Sequence, residues 1–339
     1  MAKSTLRNVR YAGMASCVPR RVVSNLVDCR PEQRAERERL VRNIGIEFRP
    51  KAPDWQCFSD LAFEAAQSLI EGLKWSRDEI DAIIVVTQSP DYVAPATAII
   101  LQDRLGLSSN AIAFDVNLGC SGYPFGLHLL SSMISAGGVR KGLLLVGDRG
   151  AQLENPIFSD AGTATALEFD ETAPPIYFDL NSDGSGHQAI IFPVGGHREP
   201  VALKHLIEGR ERTIDLDLDG TAVLSFSTQR VPPAVEQLLD YARVQKSEVD
   251  YFLFHQANRM INETIRKKLE LAAENVPSSL RDFGNSSSAS IPLTMTARIN
   301  RELSKKPHRL LMCGFGIGLS WGTCLVDINN ACFPDLIRA

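Results

Sequence analysis

The sequence predicts an α/β protein made of two similar halves, and two observations carry that expectation. Strand-like and helix-like segments alternate along nearly all of its 339 residues. Three segments of the first half also recur, in the same order, in the second. Asp78-Glu79-Ile80-Asp81-Ala82-Ile83-Ile84-Val85-Val86-Thr87-Gln88 resembles Ser247-Glu248-Val249-Asp250-Tyr251-Phe252-Leu253-Phe254-His255-Gln256. In each, acidic residues at a helix end lead into a buried strand that closes on a polar pair. Lys141-Gly142-Leu143-Leu144-Leu145-Val146-Gly147 is echoed by His308-Arg309-Leu310-Leu311-Met312-Cys313-Gly314, and Gly162-Thr163-Ala164-Thr165-Ala166-Leu167-Glu168 by Gly322-Thr323-Cys324-Leu325-Val326-Asp327. Buried strands look alike, so the argument rests on the shared order. It divides the chain into residues 1–172 and 173–339, with the seam near Asp170 to Pro175.

Along the chain, residues 30–49 break the alternation: Arg30, Glu32, Arg34, Glu36, Arg37, Glu38, Arg39 and Arg42 read as a solvated helix laced with ion pairs, or as a cap over a ligand entrance. Residues 111–116 read as a short buried strand. Residues 123–134 carry apolar side chains at helical spacing (Phe125, Leu127, Leu129, Leu130, Met133, Ile134), with Gly137-Gly138 as the stop. Between them lies Asn117-Leu118-Gly119-Cys120-Ser121-Gly122. A cysteine there meets the positive end of a helix dipole and its unpaired N–H groups, which favour thiolate and predict a lowered pKa. A buried structural cysteine is the competing reading of Cys120 taken alone.

Further on, His255 ends the strand Tyr251-Phe252-Leu253-Phe254, the position at which open α/β sheets present residues to ligands. Gln256-Ala257-Asn258 and a helical pattern through Leu269 follow. Phe283-Gly284-Asn285-Ser286-Ser287-Ser288-Ala289-Ser290-Ile291-Pro292 is a Gly/Ser-rich turn carrying one amide. The histidines at 128, 187, 197, 205 and 308 have no comparable setting. Gly314-Phe315-Gly316-Ile317-Gly318-Leu319-Ser320-Trp321-Gly322 is not a dinucleotide loop, because a strand follows it where that fingerprint needs a helix. A glycine-rich bend between strands instead suits a backbone N–H aimed into a cavity, as an oxyanion hole needs.

Composition narrows the function. With 44% apolar and 22% charged residues the chain is an ordinary globular one, and a net charge of −4 argues against general nucleic-acid binding. There is no apolar run of the roughly 20 residues that span a bilayer, so no membrane partner is expected. Seven scattered cysteines without C-x-x-C argue against a disulfide framework or zinc knuckle and suit a reducing cytoplasm.

Together these residues resemble the thiolase-fold condensing enzymes, specifically the β-ketoacyl-acyl carrier protein synthase III group, over nearly the whole chain. Asp115-Val116-Asn117-Leu118-Gly119-Cys120-Ser121-Gly122 is similar to that family's nucleophile motif. His255-Gln256-Ala257-Asn258 matches its histidine motif, the segment from Gly284 to Pro292 resembles its asparagine motif, and Ser320-Trp321-Gly322 completes the set. The resemblance implies duplicated α/β halves in a five-layered α-β-α-β-α sandwich and a homodimer paired through the strand before Cys120. It also implies a two-stage Claisen condensation. Cys120 takes an acyl group from a thioester, with the N–H groups of Cys120 and Ile317 as the oxyanion hole. His255 and Asn285 then stabilise the enolate left when a malonyl-type thioester loses carbon dioxide. No metal or redox cofactor is implied.

The sequence departs from that family at the primer entrance. Arg39 stands in place of a tryptophan that grips coenzyme A, Asn43 in place of an arginine, Ile317 in place of a glycine, and the 150–160 loop is short and lacks its arginine. A specialised acyl donor therefore stands beside acetyl-coenzyme A as an expectation. Arg259, Arg266, Lys267 and Lys268 form a local basic patch that, by resemblance, docks an acidic acyl carrier protein; an ordinary solvated helix face is the alternative. Three other functions stay open: an acyltransferase passing the acyl group to an alcohol or amine, a non-catalytic partner subunit, and a papain-like protease. The retained Cys120, His255 and Asn285 argue against the second, and the missing local cysteine signature against the third.

Overall fold

The computed structural model describes residues 2–27, 32, 34–150, 155–200 and 216–339. Cys29, Arg30, His205 and residues 151–154, within the segment expected to be a short loop, lie outside them.

The repeated segments build the same local structure twice. The expected helix ends are single 3-10 turns, Arg77–Glu79 and Lys246–Glu248. Each is closed by its glutamate, which accepts the N–H three residues earlier: Glu79 from Ser76 at 3.2 Å, Glu248 from Gln245 at 2.7 Å. The aspartate two residues on then pins the start of the neighbouring strand, Asp81 accepting from Lys141 N–H at 3.1 Å and Asp250 from Arg309 N–H at 2.8 Å.

These turns feed two mixed sheets. One runs in the order β15 (Ile337–Arg338), β2 (Val9–Val18), β8 (Ala161–Phe169), β7 (Lys141–Asp148), β5 (Ala82–Val86), β6 (Ile112–Val116). The other runs β1 (Ala2–Leu6), β9 (Ile176–Ser182), β14 (Ser320–Ile328), β13 (His308–Gly316), β12 (Tyr251–Phe254). Each holds the same four-strand unit: an antiparallel hairpin (β7–β8, β13–β14), a parallel strand beside its first arm (β5, β12) and an antiparallel strand beside its second (β2, β9). Gly147 faces Gly162 across one hairpin as Gly314 faces Gly322 across the other. The chain termini are exchanged, since β1 joins the second sheet and β15 the first. Two short pairs, β3 (Val22–Ser24) with β4 (Phe48–Pro50) and β10 (Ile190–Ile191) with β11 (Asp217–Leu218), lie outside both.

Alternation along the buried strands explains the layering, because successive side chains serve opposite faces. Ile83, Val85, Leu143 and Leu145 face helices α2 (Phe58–Leu73) and α3 (Thr97–Arg104) through Phe58, Leu61, Leu69 and Leu101. Ile84, Val86, Leu144 and Val146 face inward onto α4 (Gly122–Ser135). The other side of that central layer meets Phe178, Leu310, Met312 and Cys324 of the second sheet. Leu311, Cys313 and Phe315 then pack on α5 (Gly220–Ala242) and α6 (Arg259–Lys268) through Val235, Leu238, Ile261 and Ile265. The expected five layers, α-β-α-β-α, are present.

One element differs from its sequence reading. Residues 112–116 form a strand, but an edge strand with Ile112 exposed and Ala113 to Val116 only partly buried. Hydrophobic content alone does not distinguish a central strand from an edge. Helix α1 (Arg34–Ile44) is the charged segment, and it is amphipathic only at its end. Ile44 and Leu40 dock on Ile46, Leu280 and Ile157, while Glu38 lies 3.5 Å from Arg34 and 4.0 Å from Arg42 on the solvent side.

Candidate active site

Cys120 lies in the turn between β6 and α4, at the mouth of the layer shared by both halves. Two glycines shape that turn. A Cβ on Gly119 would come 2.3 Å from Gln88 Oε1, and a Cβ on Gly316 would come 2.7 Å from Cys120 Cβ and 3.2 Å from its Sγ. Gly316 also has φ +155°, so the end of β13 approaches Cys120 as only glycine allows. This closeness brings the Ile317 N–H to the Cys120 sulfur, where the N–H of Cys120 itself also points. The bend is pinned by hydroxyls: Ser320 Oγ donates to Ile317 O at 2.8 Å and lies 2.7 Å from Ser121 Oγ.

The histidine and asparagine arrive from the second half. His255 follows β12, only 2% exposed, its N–H donating to Cys313 O at 2.8 Å and its Nδ1 2.7 Å from Ser290 Oγ. The Phe315 and His255 rings stand nearly perpendicular, with their centroids 5.5 Å apart. Asn285 is held through its backbone, donating to Ile157 O at 3.0 Å and accepting from Ser159 N–H at 2.9 Å. Its Oδ1 accepts the Ser287 N–H at 2.9 Å, so the amide nitrogen of the planar group faces the other way, as a donor.

Ser287 joins the three. Its N–H orients Asn285, its backbone lies against the His255 ring, and its hydroxyl reaches the Cys120 thiol. It does so at φ +52°, a left-handed conformation that costs a non-glycine residue about 1 kcal/mol or more. Its hydroxyl also reaches Asp148, a buried carboxylate at the end of β7. Asp148 Oδ1 accepts from Thr87 Oγ1 at 2.9 Å, Gln88 N–H at 2.6 Å and Ser89 Oγ at 3.3 Å. The sequence reading missed both residues. An acid closing the apolar run Leu143-Leu144-Leu145-Val146 is a usable signal for Asp148, whereas Ser287 is hidden among its serine neighbours.

The electrostatics reverse one expectation. Burial, and next the Asp148 charge, push the Cys120 thiol up to about 12, against the hydrogen bonds from Ser287, Cys120 N–H and Ile317 N–H. Cys120 is partly exposed as a residue, and the protein packed around it supplies the desolvation. A helix N-terminus contributes about 0.3–2 kcal/mol, whereas burial shifts a titration by as much as 3–5 pKa units, so burial wins. Cys120 therefore rests as a thiol. Burial also lowers His255 to about 3, opposed only by the nearby Ser287 backbone, so the imidazole is neutral. A neutral imidazole and an amide can donate hydrogen bonds to a developing oxyanion without placing a second charge in the cavity.

The four basic residues fall on α6 but are not equivalent. Arg259, Lys267 and Lys268 are exposed. Arg266 pairs with Glu263 at 2.9 Å and donates to Leu271 O at 2.6 Å, and Lys268 donates to Thr228 O at 2.9 Å. Arg39 and Asn43 are exposed on α1, and a Cβ on Gly45 would meet Arg259 Cβ at 2.7 Å, so α1 and the start of α6 share one rim. A separate cleft of about 630 Å³, lined by Val22, Phe48, Phe283, Arg298 and Arg338 among others, includes none of Cys120, His255 or Asn285.

Comparison with known proteins gives a consistent match. Residues 114–184 match the family model described as 3-oxoacyl-[acyl-carrier-protein (ACP)] synthase III, and residues 239–328 the model of its C-terminal part. A putative 3-oxoacyl-[acyl-carrier-protein] synthase 3 of Campylobacter jejuni is 32% identical over 311 residues, covering 86% of this chain and 85% of that protein. A beta-ketoacyl-[acyl-carrier-protein] synthase III of Streptococcus agalactiae is 33% identical over 285 residues, covering 80% and 84%. Among solved structures, the 3-oxoacyl-(acyl-carrier protein) synthase of Burkholderia xenovorans superposes with a TM-score of 0.92 at 35% identity, covering 99% of each chain.

Proposed function

This chain belongs to the 3-oxoacyl-[acyl-carrier-protein] synthase III family of thiolase-fold condensing acyltransferases, and on that premise we propose that it condenses an acyl group held on Cys120 with a malonyl-type thioester. The observation that carries this reading is the convergence of the Cys120 and Ile317 N–H groups on one sulfur, beside an asparagine and a neutral histidine tied to it through Ser287.

In the first stage Cys120 Sγ attacks the donor's thioester carbonyl, and the two N–H groups hold the oxygen of the tetrahedral adduct. Ile317 supplies its backbone donor as a glycine would, and its side chain narrows the space beside Gly119. In the second stage the malonyl-type thioester binds with its thioester oxygen toward His255 and Asn285. Carbon dioxide leaves, the enolate attacks the acyl carbon, and Cys120 departs as the new carbon–carbon bond forms. The two donors act where negative charge develops, which lowers the barrier rather than merely binding substrate. No metal or redox cofactor enters these steps. The reaction serves fatty-acid or specialised acyl and polyketide synthesis in the cytoplasm, each half-domain (1–172 and 173–339) supplying part of the site.

The rim of Arg39, Asn43 and Arg259 favours a donor delivered by an acyl carrier protein, whose acidic surface would meet Arg259 and Lys267, with Arg266 and Lys268 contributing background charge. A homodimer is supported by the edge strand β6 and the exposed Tyr92, Val93, Ile99 and Ile112. Sedimentation tests it, and a monomer at micromolar concentration would count against it. The central test is intact-protein mass spectrometry after incubation with panels of acyl-coenzyme A and acyl-carrier donors. An acyl adduct on native protein and none on Cys120→Ala is expected; an adduct that persists on the variant removes Cys120 from the reaction.

A further inference from the structure

A thiol that rests protonated must lose a proton when it attacks, and the site gives that proton few destinations. His255 is a poor one, because its ring is held neutral at about 3. Asp148 is better placed. It is buried, it ends a strand of the first sheet, and three donors gather on its Oδ1. Its Oδ2 is also buried, yet it has no partner in good hydrogen-bond geometry among the described residues. Buried carboxylate oxygens are rarely left this way. The Ser287 hydroxyl lies within reach of both that carboxylate and the Cys120 thiol, and an O–H can turn between them. The neighbouring cation does not neutralise Asp148: the Arg149 guanidinium turns out to Asp54, at 3.3 Å from its carbonyl oxygen and 3.5 Å from Oδ1. Among the described residues, the titratable groups that the electrostatics couple to this cluster are Cys120 and, through the Ser287 backbone, His255.

We infer that Ser287 and Asp148 form a proton relay that activates Cys120 for acylation, an inference that rests on Cys120 being the acyl acceptor. As Sγ bonds to the thioester carbon, the thiol proton passes to Ser287 Oγ and the hydroxyl proton of Ser287 passes to Asp148 Oδ2. When the tetrahedral adduct collapses, the carbon–sulfur bond to the donor breaks. The proton then returns through Ser287 to the departing thiolate, and Asp148 regains its charge. The relay keeps one negative charge in the cavity throughout. A thiolate formed beside an ionised Asp148 would instead place two buried anions together, at a cost that low-dielectric surroundings raise. The strained backbone of Ser287 has a function in this scheme, since it aims one hydroxyl at two elements of the first half.

Two variants test the relay. Asp148→Asn removes the acceptor while keeping the shape, and Ser287→Gly removes the hydroxyl with a residue suited to φ +52°. Single-turnover acylation is followed by mass spectrometry from pH 5 to 9, with thermal melting of the same samples. Both variants are expected to acylate about 100-fold more slowly at neutral pH. The native rate should level off once Asp148 is ionised, whereas the Asp148→Asn rate should climb about tenfold per pH unit as it follows the thiolate fraction. If Asp148 only repelled the thiolate, Asp148→Asn would acylate as fast as native protein or faster, and that result overturns the relay. A lowered melting temperature with an unchanged pH profile overturns it too. If native protein acylates on Cys120 while the variants match it, the relay fails and the proposed function stands. Native protein that accepts no acyl group from any donor overturns both.

Discussion

Substituting alanine for Gly316 puts a methyl group 2.7 Å from Cys120 Cβ and 3.2 Å from Sγ. Carbon atoms pack at about 3.5–4.0 Å, so roughly 1 Å of movement must be found. Either Cys120 moves off, or the end of β13 retreats and takes the Ile317 N–H with it. Both separate the sulfur from the Ile317 N–H, one of its two backbone donors. Overpacking costs about 1–3 kcal/mol, and alanine at φ +155° adds about 1–3 kcal/mol of strain. Against a typical stability of about 5–15 kcal/mol, the fold survives. Catalysis is more sensitive, since losing one oxyanion donor costs about 100- to 1000-fold in rate. Gly316→Ala should therefore melt several degrees lower, keep its circular dichroism spectrum, and acylate at least about 100-fold more slowly in a single-turnover mass assay. A folded variant that acylates within about threefold of native protein would refute the reasoning, because the glycine would then not be what holds the donor against the sulfur.

Three further outcomes follow from the same geometry. In His255→Ala and Asn285→Ala, acylation should largely persist while malonyl decarboxylation falls about 100-fold or more, measured as released carbon dioxide; equal loss of both half-reactions would show that the division of roles is wrong. Reversing two of the exposed cations of α6, with Arg259→Glu and Lys267→Glu, should raise the KM for a carrier-bound donor about tenfold, and added salt should mimic it on native protein because exposed charges are screened; a KM that ignores both would remove α6 from docking. The neutral His255, lowered to about 3, contributes stability that is full above pH 6.5 and is lost as the pH falls toward 3, because the unfolded chain then binds a proton that the native state excludes. Urea midpoints between pH 7 and 5 should show this as a slope of up to about 1.4 kcal/mol per pH unit below 6.5, absent in His255→Gln; identical slopes would mean that the ring is not held neutral.

Much of this molecule is local, and what is local could be read from the chain. The alternation of strands and helices, the acidic segments that lead into β5 and β12, and the glycine-rich bend between β13 and β14 all follow from residues and their near neighbours. The order of Cys120, His255 and Asn285 was legible for the same reason, because each closes a strand or opens a turn at a recognisable junction. The tertiary structure decided what depends on enclosure. A helix N-terminus argues for a lowered thiol pKa, yet the assembled halves bury Cys120 beside Asp148 and push it the other way. Residues 112–116 are apolar enough for a central strand, yet only the sheet order makes them an edge. Arg266 and Lys268 look as available as Lys267 until Glu263, Leu271 and Thr228 engage them. Ser287 meets Asp148 only because two halves close on one another. Desolvation and through-space charge sum over everything that surrounds a group, whereas caps, turns and periodicity sum over a few residues on either side, and the chain alone specifies only the second kind.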